Sequence, residues 1–161
     1  MIIGGVMREV FSKYYDNDLK LERWQLAGVI SFIIVISGCF GWIYEFIFYY
    51  FNSGMKIFYY QGGNFLPWIN IYAYGAIIIW GLTYKLKKHP FLVFLLGVVS
   101  SGILEYFSGL VIYELTGLRF WNYNTEIWNF GNIGGFICLR SVLFFGLSGL
   151  LLVYGMIPLC V

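Results

Sequence analysis

The 161-residue chain is 60% hydrophobic and 11% charged, with a mean hydropathy of +0.77 and a formal net charge of +2. Soluble domains carry about 25% charged residues, so the composition excludes a soluble globular protein and leaves a polytopic membrane protein whose first partner is membrane lipid. No basic block with interleaved aromatics occurs, which removes a nucleic-acid role, and the 22% of aromatic residues suits belts at the headgroup level and ring packing between helices.

Residues 1–24 form a charged segment ahead of the first apolar run, in which Arg8, Lys13, Lys20 and Arg23 mix with Glu9, Asp16, Asp18 and Glu22. The apolar stretch Met1 to Met7 is too short for a signal-peptide core, so nothing here looks cleavable. Met7, Val10, Phe11, Tyr14 and Tyr15 recur at helical spacing and predict a short amphipathic helix lying on the membrane.

Residues 25–158 are predicted as an all-α domain of four transmembrane helices. Leu26 to Tyr44 carries no charge, and after Glu45 the apolar character continues to Phe51, which makes the first span. Ile57 to Tyr84 is uncharged for 28 residues, more than one span needs, and contains Gly62-Gly63 and Pro67. These residues disfavour a continuous helix, so a loop or re-entrant segment to about Pro67 and then a second helix to Tyr84 are expected. Phe91 to Thr116 is the third span and Ile133 to about Tyr154 the fourth, which Pro158 should end. The last span reaches Val161 without a Lys or Arg anchor.

Lys and Arg set the orientation. Arg8, Lys13, Lys20 and Arg23 precede the first span, Lys85, Lys87 and Lys88 fill the turn between the second and third, and only Lys56 and Arg119 fall on the opposite side. The positive-inside rule then places the chain in the cell membrane with both termini cytoplasmic and residues 52–67 and 117–132 extracytoplasmic. His89 belongs to the Lys-rich hairpin. Cys39, Cys138 and Cys160, odd in number and far apart in apolar runs, read as small buried hydrophobes, and neither a metal nor a cofactor is expected.

The candidate site residues are the charges inside apolar runs: Glu45, Glu105, Glu114 and Arg140. A charge in hydrocarbon costs about 3 kcal/mol even on the lenient insertion scale, so such groups are buried against one another or against water. At about 1.5 Å per residue they lie roughly 8, 17, 3 and 11 Å below the outer ends of their spans, in that order. Gly38, Gly41 and Glu45 share one helix face, and Ser101, Glu105 and Ser108 share another with Gly102 and Gly109 beside it. Small residues mark close helix packing, so both acids are expected to face protein. In the fourth span Gly134, Ser141, Ser148 and Gly155 form a further small stripe next to Arg140. Glu114, nine residues beyond Glu105, falls on roughly the opposite face and can reach the headgroups. Arg140 can pair with Glu105 or Glu45 to fix helix register, but one arginine still leaves a surplus carboxylate that must protonate, bind a cation or contact water. Phe58-Tyr59-Tyr60 and Trp121-Asn122-Tyr123 read mainly as interfacial anchors, while the glycines around Pro67 and at Gly131, Gly134 and Gly135 allow broken backbone at membrane depth.

Five segments in order carry a family resemblance: Gly41-Trp42-Ile43-Tyr44-Glu45; Pro67-Trp68-Ile69-Asn70-Ile71-Tyr72-Ala73-Tyr74-Gly75; Leu104-Glu105-Tyr106 through Glu114; Arg119-Phe120-Trp121-Asn122-Tyr123; and Gly134-Gly135-Phe136-Ile137-Cys138-Leu139 with Ser141 and Gly146. Over residues 41–146 the chain resembles the ABC-transporter type IV (CmpB-like) permease family. The resemblance implies a small bacterial integral membrane protein and carries no settled substrate or mechanism. The family's P-W-x-P-I-Y-G, W-D-Y-S and G-R-I-C-L patterns are altered here: Asn70 and Ala73 replace a proline and a glycine, Asn122 replaces the acid, and Phe136 replaces the arginine. Loss of two opposite charges together implies an ion pair between those two positions in relatives, which requires them to lie within side-chain reach.

Three functions compete at this level. The first is a permease-like transport component lined by Glu45, Glu105 and Arg140. The chain has no G-x-x-x-x-G-K-[ST] phosphate loop, so ATP energy requires a separate ATPase subunit, and four spans are few for a pore, which calls for a homo-oligomer or another membrane partner. The second is a scaffold, sensor or accessory subunit whose charges fix helix contacts. The third, an intramembrane lipid- or envelope-modifying enzyme using Glu105 or Glu45, lacks a nucleophile with an adjacent base, and the chain reads as no enzyme.

Overall fold

The computed structural model describes residues 2–16, 20–55 and 67–160, with side chains from residue 8 onward. Lys56, Phe58-Tyr59-Tyr60, Gly62-Gly63, Asp18 and Val161 fall outside these residues, as does the side chain of Met7. The regular elements among the described residues are helices: α1 Ile2–Tyr15, α2 Arg23–Asn52, α3 Asn70–Thr83, α4 Pro90–Thr116 and α5 Leu139–Leu151. A π-helical turn, Leu152–Met156, and a 3-10 turn, Ile157–Leu159, continue α5. Three helices are long and apolar enough to cross a bilayer: α2 with 30 residues, α4 with 27, and α5 with its extension to Leu159, 21 in all.

The ends of these helices follow from local chemistry. Glu22 and Gln25 form a reciprocal capping box at the start of α2. Pro90 opens α4, where its missing N–H costs nothing, and Gly117 closes it at φ 69°, a left-handed conformation that a side chain would oppose.

Two spans differ from the sequence expectation. The fourth begins at Leu139 rather than Ile133, because Gly134 and Gly135 take φ of 61° and 80° and fold residues 133–137 into a tight turn, with the Ile133 N–H bonded to the Ile137 carbonyl. It also runs past Tyr154, since Pro158 is accommodated within the terminal 3-10 turn. The second expected span, α3, is short: its 14 residues cover about 21 Å against a hydrocarbon thickness of about 30 Å. Before it, Trp68 and Ile69 are held against the middle of α2, where the Trp68 indole donates to the Ile34 carbonyl (2.9 Å) and the Ile69 N–H to that of Gly38 (3.1 Å). Ile69 is extended (φ −124°, ψ 122°), so α3 starts at Asn70. Pro67–Ile69 is therefore irregular backbone at membrane depth, tolerated because α2 satisfies it.

Glycines set the close helix approaches. A Cβ on Gly41 would lie 2.1 Å from the Tyr72 ring, and one on Gly97 of α4 would lie 3.1 Å from the Gly146 Cα of α5. The buried residues of α4, Val93, Gly97, Ser101, Glu105 and Gly109, recur every four positions and face α3 and α5.

At one end of the bundle α1 docks against the chain's C-terminal turn. The Tyr14 hydroxyl, on a side chain 2% exposed, donates to the Val153 carbonyl (2.8 Å), Tyr15 donates to that of Tyr154 (3.2 Å), and Tyr154 donates to that of Lys87 (2.7 Å). Lys88 pairs with Asp16 at 2.9 Å. Lys87 is buried with its ammonium 3.9 Å from the Tyr14 ring centroid and 4.6 Å from that of Tyr84, and burial holds its pKa below the ordinary lysine value. The N-terminal helix, the Lys-rich turn and the C-terminal turn thus share one end. The loop over residues 117–138 and the end of α2 share the other, where the Ile127 N–H donates to the Asn52 side chain (2.8 Å).

Candidate functional site

The loop between α4 and α5 builds one wall of a polar chamber. Its asparagines substitute for regular secondary structure: Asn129 donates to the Tyr123 carbonyl (2.9 Å), Asn132 donates to Asn124 (2.7 Å) and accepts from the Gly135 N–H (2.8 Å). The Tyr123 N–H reaches the Gly135 carbonyl (3.1 Å), Trp121 donates to the Phe136 carbonyl (2.9 Å), and Arg119 donates to that of Gly134 (2.7 Å). Tyr123 and Glu126 are consequently driven inward, each 8% exposed.

Beneath this loop lies a cavity of about 600 Å³. α2 contributes Tyr44, Glu45, Phe48 and Tyr49, the start of α3 contributes Asn70 and Tyr72, α4 contributes Glu105 and Ser108, the loop contributes Trp121, Tyr123 and Glu126, and α5 contributes Arg140. Glu45, Glu105 and Arg140 are brought to this one chamber. Glu114 is not among its lining residues and is exposed on α4.

Arg140 is the second residue of α5 rather than about two turns within a span, as the corrected helix start requires. Its partner is neither Glu105 nor Glu45. The guanidinium donates to Glu126 at 2.6 Å and to the Tyr44 hydroxyl at 2.7 Å, and packs on the Phe48 ring at 3.7 Å from the centroid. Tyr49 donates to the other Glu126 oxygen at 2.8 Å. Burial pushes the Glu126 carboxyl above the usual carboxylate range, against the opposing pull of Tyr49 and Arg140. Sequence reasoning missed Glu126 because an acid in a polar loop resembles any solvated charge, and Asn122, Asn124, Asn129 and Asn132 were the signal that this loop carries its own fold.

Glu105 is 5% exposed and accepts one hydroxyl on each oxygen, from Tyr123 (2.7 Å) and Ser141 (2.7 Å). Burial, with the Glu105 charge adjacent, holds the Tyr123 phenol far above its usual value. Glu45 has the Tyr72 side chain as its hydrogen-bonding neighbour. Among the described residues, neither Glu45 nor Glu105 has a lysine or arginine within ion-pair distance, and no three His, Cys, Asp or Glu side chains are grouped to hold a metal.

Several motif residues serve as the frame. Gly41 admits the Tyr72 ring, a Cβ on Gly75 would meet Phe145 at 3.2 Å, and Cys138 is a buried free thiol whose carbonyl starts α5. Pro67 precedes the extended residues that enter α3. Positions 122 and 136 are neighbours: the bond between Tyr123 and Gly135 and standard backbone dimensions keep their Cβ atoms within about 10 Å. The Arg119 guanidinium stacks on Phe136 (4.5 Å) and Tyr113 (4.7 Å). A guanidinium thus still occupies the region where the resemblance puts an acid and an arginine.

Fold and site together define a multi-pass helical membrane protein with a polar chamber at one end. Residues 32–161 match the family described as Putative ABC-transporter type IV, and the chain belongs to that family. No curated protein and no solved structure matches it.

Proposed function

We propose that this chain is a permease-like transport component and that the chamber is its outward-facing solute vestibule. The observation that carries this reading is the convergence of Glu45, Glu105, Glu126 and Arg140 on one cavity of about 600 Å³, a volume in the range of small-molecule sites. The irregular entry into α3 supports it too, since it brings Ile69, Asn70 and Ile71 into the cavity lining. In this reading α3 with its irregular approach is the second of four passes, both termini are cytoplasmic, and energy comes from a separate ATPase subunit or another membrane partner. The chain does no covalent chemistry.

A second reading has an observation of its own. Arg140 with Glu126, and Glu105 with Tyr123 and Ser141, also pin the outer loop to α4 and α5, which suits an accessory subunit whose charges fix packing. Glu105→Gln separates the two. In proteoliposomes the transport reading expects solute flux to be lost with expression and helicity intact. Unchanged flux refutes it, and failure to assemble supports the packing role.

A further inference from the structure

Resting on the reading of the chamber as the solute site, we infer that its ligand is a small organic monocation of the primary-ammonium class, with Glu45 as the acceptor of its N–H groups. The charge balance leads there. Three carboxylates line the chamber with one guanidinium, which pairs with Glu126, so Glu45 and Glu105 lack a cationic partner. The N-termini of α3 and α5 meet the chamber at Asn70 and Arg140 and partly offset its acids. Glu126 is neutralised by Arg140, and Glu105 has a hydroxyl on each oxygen, so Glu45 is the carboxylate with the fewest protein donors.

The walls specify what kind of cation fits. A chamber of about 600 Å³ is far larger than a bare ion, and the described carboxylates are not grouped for metal coordination. The lining is rich in aromatic rings, and its Phe48 and Tyr123 rings already hold one organic cation, the Arg140 guanidinium, at 3.7 and 5.4 Å. Ile69, Leu104 and Ile112 add apolar surface for a short alkyl chain.

The test is equilibrium binding to the purified full chain in detergent, by calorimetry, with n-butylammonium as probe and n-butanol as its neutral match. One n-butylammonium per chain should bind saturably while n-butanol does not. Glu45→Gln should weaken binding by roughly tenfold or more, the loss of one charge-assisted contact, whereas Glu114→Gln, outside the chamber, should leave it unchanged. Absent n-butylammonium binding, equal binding of both probes, or full affinity in Glu45→Gln overturns the inference. If Glu45→Gln does not fold, the comparison of charged and neutral probes on the unmodified chain decides alone. Ammonium binding without flux counts against transport only, and flux of a solute by a chain that binds no ammonium counts against this inference only.

Discussion

Removing the Glu126 carboxylate tests whether the loop between α4 and α5 is held to α5 by a desolvated ion pair. The pair is nearly out of water, with side-chain exposures of 14% for Arg140 and 5% for Glu126. Breaking a buried pair on one side costs about 3–5 kcal/mol, because a charge is left unpaired. In Glu126→Ala, Arg140 keeps the Tyr44 hydroxyl at 2.7 Å, the Phe48 face at 3.7 Å and the attraction of Glu45 and Glu105. The low end therefore applies, about 3 kcal/mol, which for a domain of this length lowers Tm by about 6–12 °C. The buried Cys138 thiol, two residues before Arg140 and 1% exposed, is a built-in reporter. With Cys39 and Cys160 replaced by Ala, its reaction with a thiol-reactive dye during heating in detergent follows unfolding. Glu126→Ala/Arg140→Met should recover stability relative to the sum of the single changes, with a coupling of about 1 kcal/mol or more. A Tm shift under about 2 °C for Glu126→Ala, or additive single changes, refutes the reasoning.

Two further changes probe the frame. Gly41→Ala sets a Cβ 2.1 Å from the Tyr72 ring, so it should cost about 2 kcal/mol by overpacking and displace Tyr72 from Glu45, read as a lowered Tm in the same thiol assay; a Tm equal to that of the parent contradicts the close approach. Tyr14→Phe removes the buried donor to Val153 and should loosen α1 by about 1 kcal/mol, read as faster amide hydrogen exchange within α1; an unchanged rate denies the docking. Asp16 adds a small pH dependence there. The Lys88 hydrogen bond holds its carboxyl below the ordinary 3.8, so the contribution is complete above that value and is lost as pH falls through the lowered one.

How much was legible in the sequence varies with the range of the interactions involved. The limits of α2 and α4 follow from long apolar runs broken only by Glu45, Glu105 and Glu114, with Pro90 and Gly117 bounding α4 locally. The directions of Glu45 and Glu105 follow from the small residues sharing their faces, since Gly38, Gly41, Ser101 and Gly109 are all buried. The start of α5 was misplaced because Ile133, Phe136 and Ile137 look like helix, and only the left-handed turn at Gly134-Gly135 reveals otherwise. The shortness of α3 depends on Trp68 and Ile69 binding the backbone of α2 some thirty residues earlier, which no local pattern encodes. Glu126 was invisible for the same reason: its partners Tyr49 and Arg140 come from two other elements, through a loop whose path is set by asparagine side chains.

The central claim, a polar chamber reached from the outer face, is tested most directly by thiol accessibility at Ser108, which lines the chamber, compared with Ile103 on the lipid-facing side of α4, 55% exposed. In a chain freed of its native cysteines, Ser108→Cys in intact cells should react with a membrane-impermeant thiol reagent added outside, and Ile103→Cys should not. Failure of Ser108→Cys to react from outside, or reaction only in inside-out vesicles, contradicts the account.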